Sequence, residues 1–280
     1  MFQRLTQTIA LTATLMIAAP AHAQDSDAEK AAALYEALAL PALLQVMRDE
    51  GIGYGYDIGV DFFPGESPGA DWIDLVGAIY DLDRMEARIS ADFATALAGD
   101  DIDAMLAFFT SEPGRTIVSL EVSAREALLD DAVEEAAKEA ASIALADDAP
   151  RMALIQEYAE VNSLVETNVV GALNANYAFF SGLMEGGSFP QSMSEDEILA
   201  DVWSQEPDIR ANTTEWINSF LFMAYQPLSD DDLQAYIAFS QSEAGQEVNE
   251  ALFAAFDAMF IDISRNLGRA SARFMTRQEL

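Results

Sequence analysis

One 18-residue pattern occurs twice in this chain, and that repetition constrains the fold more than any other feature. Residues 97–114 read LAGDDIDAMLAFFTSEPG and residues 228–245 read LSDDDLQAYIAFSQSEAG. At a constant offset of 131, nine of the 18 positions are identical. They are Leu97/Leu228, Asp100/Asp231, Asp101/Asp232, Ala104/Ala235, Ala107/Ala238, Phe108/Phe239, Ser111/Ser242, Glu112/Glu243 and Gly114/Gly245. Mismatches such as Ile102/Leu233 and Leu106/Ile237 stay apolar, and Trp72 and Trp203 fall on the same offset. Self-similarity at a fixed period marks a duplicated supersecondary unit, each copy burying a face against its neighbour.

The rest of the chain reads as amphipathic helix, with no stretch alternating at a period of two. A first helix is expected over 27–50, stopping before Gly51. Residues 51–69, GIGYGYDIGVDFFPGESPG, carry glycines, prolines and aromatics and predict a long loop. A helix from Asp71 to Leu97 follows, with a break near Asp81, then a motif helix over 100–110 and a long helix to Ala146. The second half predicts helices over 151–184, 194–205, 208–225, 230–241 and 244–270, with a loop at EGGSFPQS. The predicted fold class is all-α: a duplicated antiparallel helical bundle, two pseudo-repeats packed together. Asp147-Asp148-Ala149-Pro150 marks the junction, giving helical repeat 1 over 24–148 and helical repeat 2 over 149–280.

Each copy of the motif predicts two helices joined at a corner. Ser111 and Ser242 stand where the N-cap of the second helix belongs, with Glu112 and Glu243 favourably placed in its first turn. Ser229 and Asp232 have capping-box spacing, and Asp100 and Asp103 are expected to serve the first copy similarly. Gly114 and Gly245 fall just inside a helix, where glycine is unfavourable by roughly 1 kcal/mol against alanine, so close backbone approach is expected there. Phe108 and Phe239 are expected to plug the corners.

The pattern L-x-x-D-D-[IL]-x-A-x-[LI]-A-F-x-x-S-E-x-G resembles the bacterial domain of unknown function 2059 family. That family shows an acidic helix start, a Phe-aromatic pair, then Ser-x-x-Gly and a basic residue. The first copy has Phe108, Phe109, Ser111, Gly114 and Arg115 in place. The second has Ser240 for the second aromatic and Gln246 for the basic residue. The resemblance implies an all-helical, exported bacterial protein and lends no catalytic residues.

Composition narrows the chemistry. Residues 1–23 predict a cleaved signal peptide: Arg4 as n-region, Ile9–Ala19 as h-region, and Ala21-His22-Ala23 as cleavage signal. The mature chain then has no His and no Cys, and 13 basic against 48 acidic residues give it a formal charge of −35. Ser-His-Asp and Cys-His nucleophiles, a His base and the usual zinc, copper, haem and iron–sulfur sites are thereby excluded. No cofactor and no metal site is predicted, since the acidic clusters lack the ligand spacing of a calcium loop. So negative a surface repels nucleic acid and anionic membranes. No later segment is apolar enough for stable membrane insertion. Hydrophobic content of 51% argues against disorder.

The remaining candidates are the aromatics Tyr54, Tyr56, Phe62, Phe63 and Trp72, expected to line a ligand groove or to fold over the bundle as a lid. Glu121/Arg125 has the spacing of a surface ion pair. The sequence thus predicts a periplasmic or secreted, non-enzymatic module binding a protein or an amphipathic ligand. The alternative is a carboxylate-only glycan hydrolase of the cell envelope, which needs a buried acid of raised pKa facing a second acid.

Overall fold

A computed structural model describes residues 21–62, 68–187 and 194–278. Most of the expected signal peptide, Phe63 and most of the EGGSFPQS loop lie outside them. Among the described residues every regular element is an α-helix, so the protein is all-α. The first half holds α1 (Ala21–Ala37), α2 (Leu40–Phe62), α3 (Ala70–Ile79), α4 (Leu82–Ala96), α5 (Ile102–Phe109), α6 (Glu112–Ala127) and α7 (Asp131–Ala146). The second holds α8 (Pro150–Val161), α9 (Leu164–Glu185), α10 (Glu195–Ser204), α11 (Glu206–Tyr225), α12 (Asp230–Ser240) and α13 (Glu243–Gln278).

The two 18-residue segments fold into the same corner. Ser111 Oγ accepts from the Gly114 N–H at 3.2 Å and donates to the Phe108 carbonyl at 2.6 Å. Ser242 makes the same pair of bonds with Gly245 and Phe239, at 3.1 and 2.6 Å. A Cβ on Gly114 or Gly245 would stand well inside 3.0 Å of the Phe108 or Phe239 carbonyl oxygen, so only glycine lets each corner close this tightly. The Phe108 and Phe239 rings stack on each other at 4.1 Å, joining the corners face to face. The first-copy cap differs from expectation: Asp101, not Asp100 or Asp103, accepts the Ala104 N–H.

Several expected helices are divided. The run over 27–50 bends at Ala39, whose φ is +49°, and Pro41 opens α2 where its missing N–H costs nothing. The run to Ala146 breaks after Leu128, and Asp130 caps α7 through the Ala132 N–H. The run over 151–184 breaks at Ser163, φ +51°.

Residues 51–62 differ most. They continue α2 as helix rather than forming a loop. Gly51, Gly55 and Gly59 recur every four residues and form one face of α2. Against it lie Tyr80, Val76 and Trp72, also four residues apart, so close that a Cβ at any of the three glycines would overlap them. The Trp72 indole N–H also donates to the Gly55 carbonyl at 2.8 Å. A helix of low intrinsic propensity is thus held by large side chains that fill the space its missing Cβ atoms leave.

One core joins both halves: Leu34, Leu44, Ile89 and Met105 share a cluster with Ile155, Leu221, Leu233 and Leu267. A smaller cluster of Val169, Leu173, Ile198 and Val202 fastens α10 to α9. The tryptophans at the common offset fare oppositely: Trp72 is fully buried, Trp203 62% exposed. Among the described residues no single helix is long and apolar enough to cross a membrane. The bent pair Asp27–Ala37 and Leu40–Asp61 passes on length and composition alone.

Candidate functional site

A cleft of about 320 Å³ opens between α3, the start of α4 and the last third of α13. Its α13 side is Asn266, Arg269, Ala270 and Arg273, spaced i, i+3, i+4 and i+7, so helical geometry alone brings them to one face. Its floor is Leu75, Ala78 and Ile79 of α3, and Arg84 of α4 closes the end. Arg84 turns back onto α3 and donates to the carbonyls of Ala78 and Ile79, the latter at 3.2 Å. A cation there meets the negative end of the helix and occupies carbonyls without intrahelical partners.

Arg269 is anchored from behind by Glu185 of α9 and lies 3.4 Å from Asn266 Oδ1. Arg273 is exposed and has no ion-pair partner among the described residues. Among the described residues no carboxylate lines the cleft. Three guanidiniums over an apolar floor, in a chain with 48 acids, depart sharply from the average surface of this protein.

Of the predicted aromatic candidates whose side chains are described, Tyr54, Tyr56 and Trp72, none lines this cleft. Tyr54 and Tyr56 project from α2, 56% and 43% exposed. Phe62 ends α2, and its side chain, like Phe63, lies outside the described atoms. Trp72 is a core residue, meeting Phe274 edge-on at 5.3 Å. The cleft arginines were missed, although the sequence holds a signal for them: Arg265, Arg269, Arg273 and Arg277 recur every four residues at the end of an acidic chain.

A second cluster surrounds Glu121, which the spacing rule misassigns. Glu121 does not pair with Arg125. Tyr225 donates its hydroxyl to Glu121 Oε1 at 2.5 Å, and Tyr236 hydrogen-bonds the same carboxylate. The Tyr158 ring packs against both, with centroids 5.6 Å from Tyr225 and 4.7 Å from Tyr236. Burial among these rings pushes the Glu121 carboxyl up to about 7, against the opposing pull of the phenol hydrogen bonds. Arg125 instead grips Glu50 through two bonds of 2.8 Å and lies 5.0 Å over the Trp216 ring. Tertiary partners on α2 and α11 displace the weak i,i+4 pair.

Glu247 of α13 is a second raised carboxyl. Burial and the nearby Asp100 and Glu243 carboxylates push it up, while the Asp101 N–H, which bonds to it, opposes the shift. Among the described residues no group of three acids is arranged to hold a metal ion.

The fold and the cleft together define an all-helical protein with a basic interhelical cleft. Residues 83–142 match the family described as "Uncharacterized protein conserved in bacteria (DUF2059)". The match spans α4 to α7 and includes the first corner; the second corner lies outside it. No curated protein and no solved structure matches the chain.

Proposed function

We propose that this is an exported, non-enzymatic binding module of the bacterial envelope, seating an amphipathic ligand in the cleft between α3/α4 and α13. The observation that carries this reading is the set of three guanidiniums over an apolar floor with no acid among the described lining residues. The cleft lies between the first and second halves of the chain, where each supplies one wall. Export is supported by the Arg4 n-region, the Ile9–Ala19 apolar run and the Ala21-His22-Ala23 signal. A binding role is supported by the mature chain's lack of His and Cys.

Native mass spectrometry of mature protein purified gently from its own compartment tests the reading. It predicts a bound small molecule on the wild type that is lost in Asn266→Trp, which fills the cleft from an exposed position. Bare wild-type protein, or a ligand retained by the filled variant, contradicts it.

One observation favours a carboxylate-only glycan hydrolase instead: Glu247, raised in pKa, stands near Asp100 and Glu243. That reading predicts release of fragments from envelope glycan by the wild type and none by Glu247→Gln. The binding-module reading predicts no release by either.

A further inference from the structure

Resting on that binding reading, we infer that the ligand is a small amphipathic oxyanion: a carboxylate or phosphate head held by Arg84, Arg269 and Arg273, with its apolar body on Leu75, Ala78, Ile79 and Ala270. Cleft size selects a small molecule. About 320 Å³ falls at the lower end of small-ligand sites and leaves no room for a folded partner segment.

Charge selects an anion. A guanidinium presents a planar fork of donors matched to carboxylate and phosphate oxygens. Arg84 and Arg269 are already fixed, the first by the end of α3 and the second by Glu185, so binding orders little new side chain. Arg273, unpaired among the described residues, supplies the free charge.

The chain's net charge of −34 opposes any anion at long range, but local geometry outweighs it. Exposed charges beyond about 8 Å are largely screened at physiological salt, whereas the guanidiniums lining the cleft lie within that distance of its occupant. A cationic ligand would meet Arg273, unpaired among the described residues, with like charge, and a wholly apolar one would leave that guanidinium without a partner.

Calorimetric titration of the mature chain with octanoate, octyl phosphate, octanol and octyltrimethylammonium tests the inference. Both acids are expected to bind one to one, with octanol at least about tenfold weaker and the cation not at all. Arg273→Gln should weaken both acids about tenfold without changing the fold, because its side chain is exposed. Arg115→Gln, an exposed arginine on α6, should change nothing. The tighter acid identifies the headgroup.

Octanol or the cation binding as tightly as octanoate, and lost in Asn266→Trp, would overturn the anion assignment while sparing the binding-module reading. Acids that bind Arg273→Gln as tightly as the wild type would overturn the assignment. If no amphiphile binds, both fall.

Discussion

At the scale of single residues, Glu121 carries the clearest electrostatic consequence. Its carboxyl is raised to about 7 from an ordinary 4.5, so the folded state holds its proton more tightly than the unfolded chain. Stability from this group is therefore greatest in acid, falls as pH rises from about 4.5 to 7, and is flat above. The loss is on the order of 3 kcal/mol. Glu121→Gln keeps a carbonyl acceptor for Tyr225 but cannot ionise. Urea unfolding should show the variant more stable than wild type at pH 8, with the gap closing at pH 4. Glu121→Ala leaves the buried Tyr225 and Tyr236 hydroxyls without that acceptor and should cost about 2 kcal/mol even in acid. Equal pH profiles for the glutamine variant and wild type would count against the buried carboxyl.

The residues legible in sequence were those whose chemistry is local. Ser111, Ser242 and Ser229 cap from positions fixed by spacing, and Gly114 and Gly245 close corners that the recurrence itself betrays. Glu121 and Arg125 were misread because i,i+4 spacing says only that two side chains are neighbours. Their partners, 104 and 75 positions away, decide the outcome.

Among elements, α2 shows where local propensity fails. Its glycines read as loop because their helical stability comes from Trp72, Val76 and Tyr80 on the next helix. Two glycines two residues apart should respond with opposite signs. Gly53 has open space around it, so Gly53→Ala should stabilise by about 1 kcal/mol. Gly55→Ala drives a methyl into Val76 and should destabilise by about 1–3 kcal/mol. Thermal unfolding of the pair checks both helix and packing; a neutral Gly53→Ala would argue for a loop.

The two halves also diverge for a readable reason. Asp130 starts α7 after the break that follows α6, whereas the equivalent position in the second half is Ile261, which cannot cap, and α13 runs on unbroken. Asp130→Ala should cost about 1 kcal/mol by urea unfolding through the lost cap.

For the whole molecule, the helical class was legible from periodicity and each two-helix corner from the repeat, whereas the stacking of Phe108 on Phe239 that sets the corners face to face was not. The cleft was not, because it is assembled from segments almost 200 positions apart, and periodicity carries no information about which helices meet. Nor did composition reveal it: an overall excess of acid hides a local excess of arginine. The proposed function rests on that local departure from the average. The most direct measurement is an NMR titration of the arginine side-chain Nε–Hε resonances with octyl phosphate. Arg84, Arg269 and Arg273 are predicted to shift together and saturate, while Arg125 and Arg151, committed to Glu50 and to Asp230, stay in place. Unmoved cleft arginines, or shifts spread evenly over all arginines, would contradict the account.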